Sequence, residues 1–273
     1  MIMKLFISAD IEGTTGIARW DETENGHSRY PYFAQQMTRE VSAACEGAKA
    51  AGCTEILIKD AHDSACNLIP DQLPVETRLF RGWGSDFFGM VAGLDETFDG
   101  VFFTGYHSGA GMDTNPLSHT MNRQNNFVRI NGIIAPELMI NSLTAAYLGV
   151  PVRLVTGDQG LCDWMHKFSP NTETVAVSEG HGRGSIAIHP KKALELIRDA
   201  AERAMRKPRE ECLIPLPESF HVEIGFKEHA KARNATSYPG VELTSPTTIE
   251  YRSNDYMSVL KMLDWVLLSL IHI

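Results

Sequence analysis

Four short apolar runs, each leaving through a polar exit, constrain how this chain can fold. They are Lys4-Leu5-Phe6-Ile7-Ser8-Ala9, Glu55-Ile56-Leu57-Ile58, Gly100-Val101-Phe102-Phe103-Thr104 and Val152-Arg153-Leu154-Val155-Thr156. Between the first two, Phe33, Met37, Val41, Ala44 and Ala48 recur at three- and four-residue spacing, which predicts an amphipathic helix ended by Gly52. Between the last two, a helix opens at Pro136-Glu137-Leu138 and runs to about Tyr147, with proline where the first turn tolerates it. Such alternation predicts an α/β fold, a mainly parallel sheet with helices on both faces. Asn131-Gly132 marks a hairpin within Phe127 to Ile134. Prolines and glycines break up Ser64 to Gly89, which carries no assignable element.

The last third is less regular. Val175-Ala176-Val177 and Ile186-Ala187-Ile188 are short strands around a glycine-rich turn, and Pro190 begins a helix with Leu194, Ile197, Ala201 and Met205 on one stripe. Strands at Phe220–Ile224 and Thr248–Tyr251 and a helix from Asp255 follow. These elements predict a smaller α+β part, dividing the chain into residues 1–180 and 181–273 with a soft boundary. The apolar tail Leu267 to Ile273 has no assigned role.

At 273 residues the chain is long enough to bury a substantial core. A net charge of −9 argues against nucleic acid and anionic membrane surfaces, both of which select basic patches. No segment has the length of a membrane span, and the N-terminus lacks the pattern of a signal peptide. Five scattered cysteines, none in a C-x-x-C pair, read as reduced thiols of a cytoplasmic protein.

The chemistry concentrates where the strands end, the side of a parallel sheet on which ligands bind. Asp10 and Glu12 follow the first strand, Asp60, His62 and Asp63 the second, His107 the third and Asp158 the fourth. Side chains at i and i+2 of a strand share a side, so Asp10 and Glu12 can converge, a costly pairing unless a cation or proton lies between them. Carboxylate with imidazole is a ligand set for zinc and similar divalent ions. Glu137 could add a further carboxylate, and Asp10, through both oxygens, could serve two metals. Each residue also has a structural reading: His62 as a surface loop residue, His107 as a strand cap, Glu137 as a carboxylate favoured at a helix N-terminus. Asp158, a common turn residue after glycine, stays outside the metal set, and His181 and His189 read as structural.

Ser8-Ala9-Asp10-Ile11-Glu12-Gly13 resembles the S-x-D-x-E-G opening of the M55 peptidases, the D-aminopeptidase family known from dipeptide-transport operons. Asp60-Ala61-His62-Asp63-Ser64, Gly105-Tyr106-His107, Ser118-His119-Thr120-Met121 and the Glu137 segment follow in the family's order. The resemblance covers the first 160 residues well and the rest loosely. It implies a cytoplasmic aminopeptidase with two Zn2+ per subunit, acting on small peptides with an N-terminal D-residue. By position Asp10 would bridge the metals, Glu12 and His62 would complete one site, and His107 and Glu137 the other. His119 would be the catalytic histidine, as proton carrier or nucleophile. The family's homodecameric rings imply a homo-oligomer. Two departures stand out: the glycine-rich loop Ser108 to Asp113, and the apolar tail. The rival readings are a dinuclear phosphoesterase, whose D-x-H and G-N-H-[DE] segments are missing here, and a non-catalytic, metal-stabilised assembly protein.

Overall fold

A computed structural model describes residues 3–84 and 86–268. In chain order the elements are β1 (Lys4–Ala9), α1 (Tyr30–Ala50), β2 (Glu55–Asp60), β3 (Thr77–Phe80), β4 (Gly100–Tyr106), β5 (Asn125–Ile130), β6 (Ile133–Ile134), α2 (Glu137–Tyr147), β7 (Val152–Asp158), α3 (Gln159–Phe168), β8 (Glu173–His181), β9 (Gly184–Ala187), α4 (Pro190–Arg206), β10 (Phe220–Phe226), α5 (His229–Ala235), β11 (Glu242–Ser245), β12 (Thr248–Ser253) and α6 (Tyr256–Leu263). The tail residues 269–273 lie outside the described residues.

The larger sheet runs β3-β2-β1-β4-β7-β8-β9, parallel throughout except that β9 returns antiparallel to β8. Period-2 pleating sends alternate residues of β1 to opposite faces. Leu5 and Ile7 join the cluster under α1 and α4, while Phe6 joins the cluster under α2 and α3. Both faces are therefore covered, which is why β4 and β7 are buried along their full length.

The smaller sheet, β11-β12-β10-β5-β6, is antiparallel, and the expected Asn131-Gly132 hairpin joins β5 to β6 within it. Helix α2 lies between the sheets: Leu138 and Ala145 pack on the larger one, Met139, Ile140 and Leu143 on the smaller. Leu143 has no exposed surface, so Leu143→Ala is expected to cost about 2–5 kcal/mol. This double packing fixes the N-terminus of α2, and with it Glu137.

The sheets do not divide the chain at one point. The expected break at residue 180 falls inside the β8–β9 hairpin. Strands β8 and β9, expected to open the smaller part, extend the larger sheet, while β5 and β6 from the first half belong to the smaller one. The stripe on α4 explains the former, because Ala193, Ile197, Ala201 and Met205 are buried in the same cluster as α1.

Strand order reverses direction at β1. Strands β2 and β3 are added on one side, and β4, β7 and β8 on the other. The crevice outside the carboxyl ends of β1 and β4 is thus a topological switch point, where a sheet of this kind opens a binding site.

Candidate metal centre

The chain leaves β1 at Ala9 and turns at once. Asp10 N–H donates to Thr104 O at 2.8 Å, Thr14 N–H donates to Ile11 O at 2.9 Å, and Gly13 N–H donates to Gly105 O at 2.8 Å. Asp10 and Glu12 therefore converge through a turn rather than through the pleat of a strand. Two glycines permit it. A Cβ on Gly13 would lie 1.8 Å from Tyr106 O, and one on Gly105, whose φ is +68°, would lie 2.2 Å from Asp10 O. Gly13 is required by this close approach, since its φ lies outside the left-handed region.

Strand β2 delivers His62. The Asp60 carboxylate accepts from Leu68 N–H at 2.7 Å and from Asn67 Nδ2 at 2.9 Å, folding the following segment back over the strand end. Asp60 is structural, and Asp63, at φ +45°, stands on the cavity wall outside the ligand groups described below. His62 Nδ1 lies 3.3 Å from Asp10 Oδ1 and 3.1 Å from Glu12 Oε2. From β4, His107 places Nε2 3.5 Å from Asp10 Oδ2 and 3.7 Å from Glu137 Oε2. From the loop beyond, His119 places Nε2 3.6 Å from Glu137 Oε1 and 3.9 Å from Glu12 Oε1. All six candidate residues thus meet.

Each imidazole is oriented by a backbone carbonyl, which can only accept a hydrogen bond. His62 Nε2 donates to Thr23 O at 2.9 Å, His107 Nδ1 to Ser108 O at 3.0 Å, and His119 Nδ1 to Leu117 O at 2.9 Å. The opposite nitrogen of each ring faces the carboxylates, the arrangement that orients metal-ligating histidines. The ligand-capable atoms of Asp10, Glu12 and His62 lie within 4.8 Å of one another, and so do those of Asp10, His107 and Glu137. Asp10 belongs to both groups. Glu12, His107 and His119 form a third group of the same tightness.

The electrostatics show what the cluster lacks. Asp10 Oδ2, Glu12 Oε2 and His107 Nε2 are buried without any hydrogen-bond partner. Burial, then the charge of Glu12, pushes the Asp10 carboxyl up to about 8. Burial also opposes ionisation of Glu12 and Glu137, but the neighbouring imidazoles outweigh it. His62 holds Glu12 well below the usual carboxylate range, and His107 lowers Glu137. Burial disfavours the charged imidazole, yet Glu12 pulls His62 well above its ordinary value and Glu137 does the same for His107. Burial and the charge of His107 lower His119. The protons drawn onto Asp10, His62 and His107 supply positive charge that a bound cation would displace. Oxygen and imidazole donors around orphaned buried atoms fit zinc.

Other expected features fall outside the cluster. Asp158 caps α3 through Leu161 N–H at 2.9 Å and accepts from Ser108 N–H at 2.7 Å and Ser108 Oγ at 2.6 Å. Fully occupied, it anchors the loop after His107. His189 caps α4, and His181 ends β8. The sequence reading missed Trp20, whose ring meets His119 edge-on at 5.2 Å between centroids. As the one aromatic residue between Gly13 and Arg29 it was open to notice. The carbonyls of Thr23, Ser108 and Leu117 left no signal, since any residue can supply one.

Of the six side chains, His119 is the most exposed, at 13% against 1–9%. It faces a cavity of about 740 Å³ walled by Trp20, Trp83, Met90, Met121 and Arg123. A larger hollow of about 860 Å³ lies at the opposite end of the strands, among Lys4, Glu55 and Arg78, and contains none of the six.

A parallel α/β sheet with a buried carboxylate–imidazole cluster at its switch point defines the class in which metal-dependent hydrolases fall. The family model of the M55 peptidases, described as D-aminopeptidase, matches residues 3–265, so the chain belongs to that family and is a peptide-bond hydrolase. The D-aminopeptidase of Bacillus subtilis (strain 168) is 32% identical over 258 residues, 93% of each chain. The solved structure of the Zn-dependent D-aminopeptidase DppA from Bacillus subtilis, a self-compartmentalizing protease, superposes with a TM-score of 0.89 at 30% identity, covering 97% of this chain and 96% of that one.

Proposed function

We propose that this chain is a zinc-dependent aminopeptidase that releases an N-terminal D-residue from short peptides or amides, using a dinuclear centre. The observation that carries the proposal is the pair of ligand-capable groups sharing Asp10. Asp10 would bridge, Glu12 and His62 would complete one zinc site, and His107 and Glu137 the other. Zinc held there supplies Lewis acidity, bringing a water's pKa toward neutrality and polarising the scissile carbonyl.

The chain's own residues do the rest. Leu117 O fixes the proton of His119 on Nδ1, and burial keeps the ring neutral, so Nε2 can accept a proton and pass it to the leaving amine. The carboxylates of Glu12 and Glu137 stabilise the imidazolium formed in between. A free substrate α-amine suits the acidic end of the cavity, which supports exopeptidase action.

DppA is Zn-dependent and self-compartmentalizing, which supports a homo-oligomer here, with the decamer of the family resemblance as the expected form. Five free cysteines, four of them buried, favour the cytoplasm. No helix among the described residues is long and apolar enough to cross a membrane.

The test is hydrolysis of D-Ala-D-Ala and D-alanine amide before and after chelation, with p-nitrophenyl phosphate as a control substrate. Chelation should abolish amide hydrolysis and zinc should restore it. Full activity with all divalent ions removed would refute the proposal, and preferential phosphate release would favour a phosphoesterase.

A further inference from the structure

The cavity is acidic at the cluster end, where Asp10, Glu12 and Glu137 converge. Among the described residues its lining contains a single arginine or lysine, Arg123. That guanidinium lies 4.6 Å over the ring of Trp20, which packs on the cluster under α1 and meets His119 edge-on at 5.2 Å. Glu24 Oε1 accepts from Arg123 Nη1 at 3.1 Å, holding the side chain from one side. One of five N–H donors is thereby used, and the fork keeps others for a second carboxylate.

The backbone beneath Arg123 is pinned. Asn122 Nδ2 donates to Leu267 O at 2.7 Å, Gln124 N–H donates to Asn122 Oδ1 at 2.8 Å, and Asn125 Nδ2 donates to Thr120 O at 2.9 Å. The backbone is fixed, while the half-exposed guanidinium is oriented by Trp20 and Glu24 and stays open to the cavity.

We propose that Arg123 forms a carboxylate subsite that receives the C-terminal carboxylate of a short peptide substrate. This rests on the aminopeptidase reading above. A zwitterionic dipeptide can turn its amine toward the cluster carboxylates and its carboxylate toward the guanidinium donors that Glu24 leaves unused. Two extended residues span about 7 Å, and a single aromatic ring, that of Trp20, stands between Arg123 and His119.

The test combines binding with turnover on full-length, zinc-loaded protein. The binding probe is a D-Ala-D-Ala analogue with CH2–NH in place of the peptide bond, prepared as the free acid and as the C-terminal amide. Wild type should bind the acid about tenfold more tightly than the amide, as expected for a charge-assisted pair. Arg123→Met, which keeps the apolar stem over Trp20, should erase that preference, and Arg123→Lys should restore part of it. In turnover, the ratio of kcat/KM for D-Ala-D-Ala to that for its C-terminal amide should fall about tenfold in Arg123→Met, through KM. Equal affinity of wild type for acid and amide, or an unchanged preference in Arg123→Met, would overturn the subsite. If the acid preference is present and depends on Arg123 but no peptide is cleaved, the subsite stands and the aminopeptidase reading fails.

Discussion

The rings of His107 and His119 stack 4.3 Å apart between centroids and within 5° of parallel. Two imidazoles in such contact resist being charged together, and the surroundings separate them. Glu137 pulls His107 up, whereas burial and His107 itself push His119 down. One ring is built to face a fixed charge, the other to gain and lose a proton.

That division predicts the outcome of His119→Ala. Removal of a general acid–base group should lower kcat by about 10²–10⁴-fold. Zinc content and oligomer size should stay as in wild type, measured by elemental analysis and light scattering on the same sample. Unchanged turnover would remove His119 from the mechanism, and loss of zinc in step with activity would make it a ligand.

Gly13→Ala separates the close-approach role of this glycine from an ordinary turn preference. The added methyl would meet Tyr106 O, a backbone atom with no rotamer to escape into. A loss of about 1–3 kcal/mol in denaturant unfolding is expected, with weakened zinc binding as the β1 and β4 exits separate. A neutral result would show that the two exits can move apart without cost.

The zinc-free protein should lose stability as pH rises across neutrality. Asp10 passes from an ordinary 3.8 when unfolded to about 8 when folded, so between those values the folded chain retains a proton that the unfolded chain releases. His62 and His107 act in the same sense above 6.5, their ordinary value, because their folded values are raised. Glu12 and Glu137 have the opposite sign: their folded values are lowered, so their contribution is lost as pH falls below 4.5. Zinc displaces the protons, so the gain in Tm on loading should grow from pH 5 to pH 8. A gain independent of pH would contradict this charge assignment.

The α/β framework was legible because β1, β2, β4 and β7 are buried apolar runs and α1 has a clear stripe. Strands β3 and β11 were not, since both are four-residue edges, half-exposed or exposed, with little apolar signal. Helix α3 was missed because Asp158 read only as a turn residue, although it also caps that helix. Membership of β8 and β9 depended on which face α4 would cover, a tertiary choice that local pattern does not encode. At the centre, side chains of the right chemistry at successive exits drew attention to Asp10, Glu12, His62, His107 and Glu137. His119 came from the family resemblance. The carbonyls that orient the rings, and the turn that brings Asp10 to Glu12, depend on backbone path and had no sequence counterpart.

The central claim is that Asp10 serves two metals and Glu12 one, and zinc stoichiometry in purified Asp10→Ala and Glu12→Ala tests it most directly. Wild type should hold two zinc ions per subunit; Asp10→Ala should lose both, and Glu12→Ala should retain about one, bound by His107, Glu137 and Asp10. Equal losses from the two variants, or a full zinc complement in Asp10→Ala, would contradict the account.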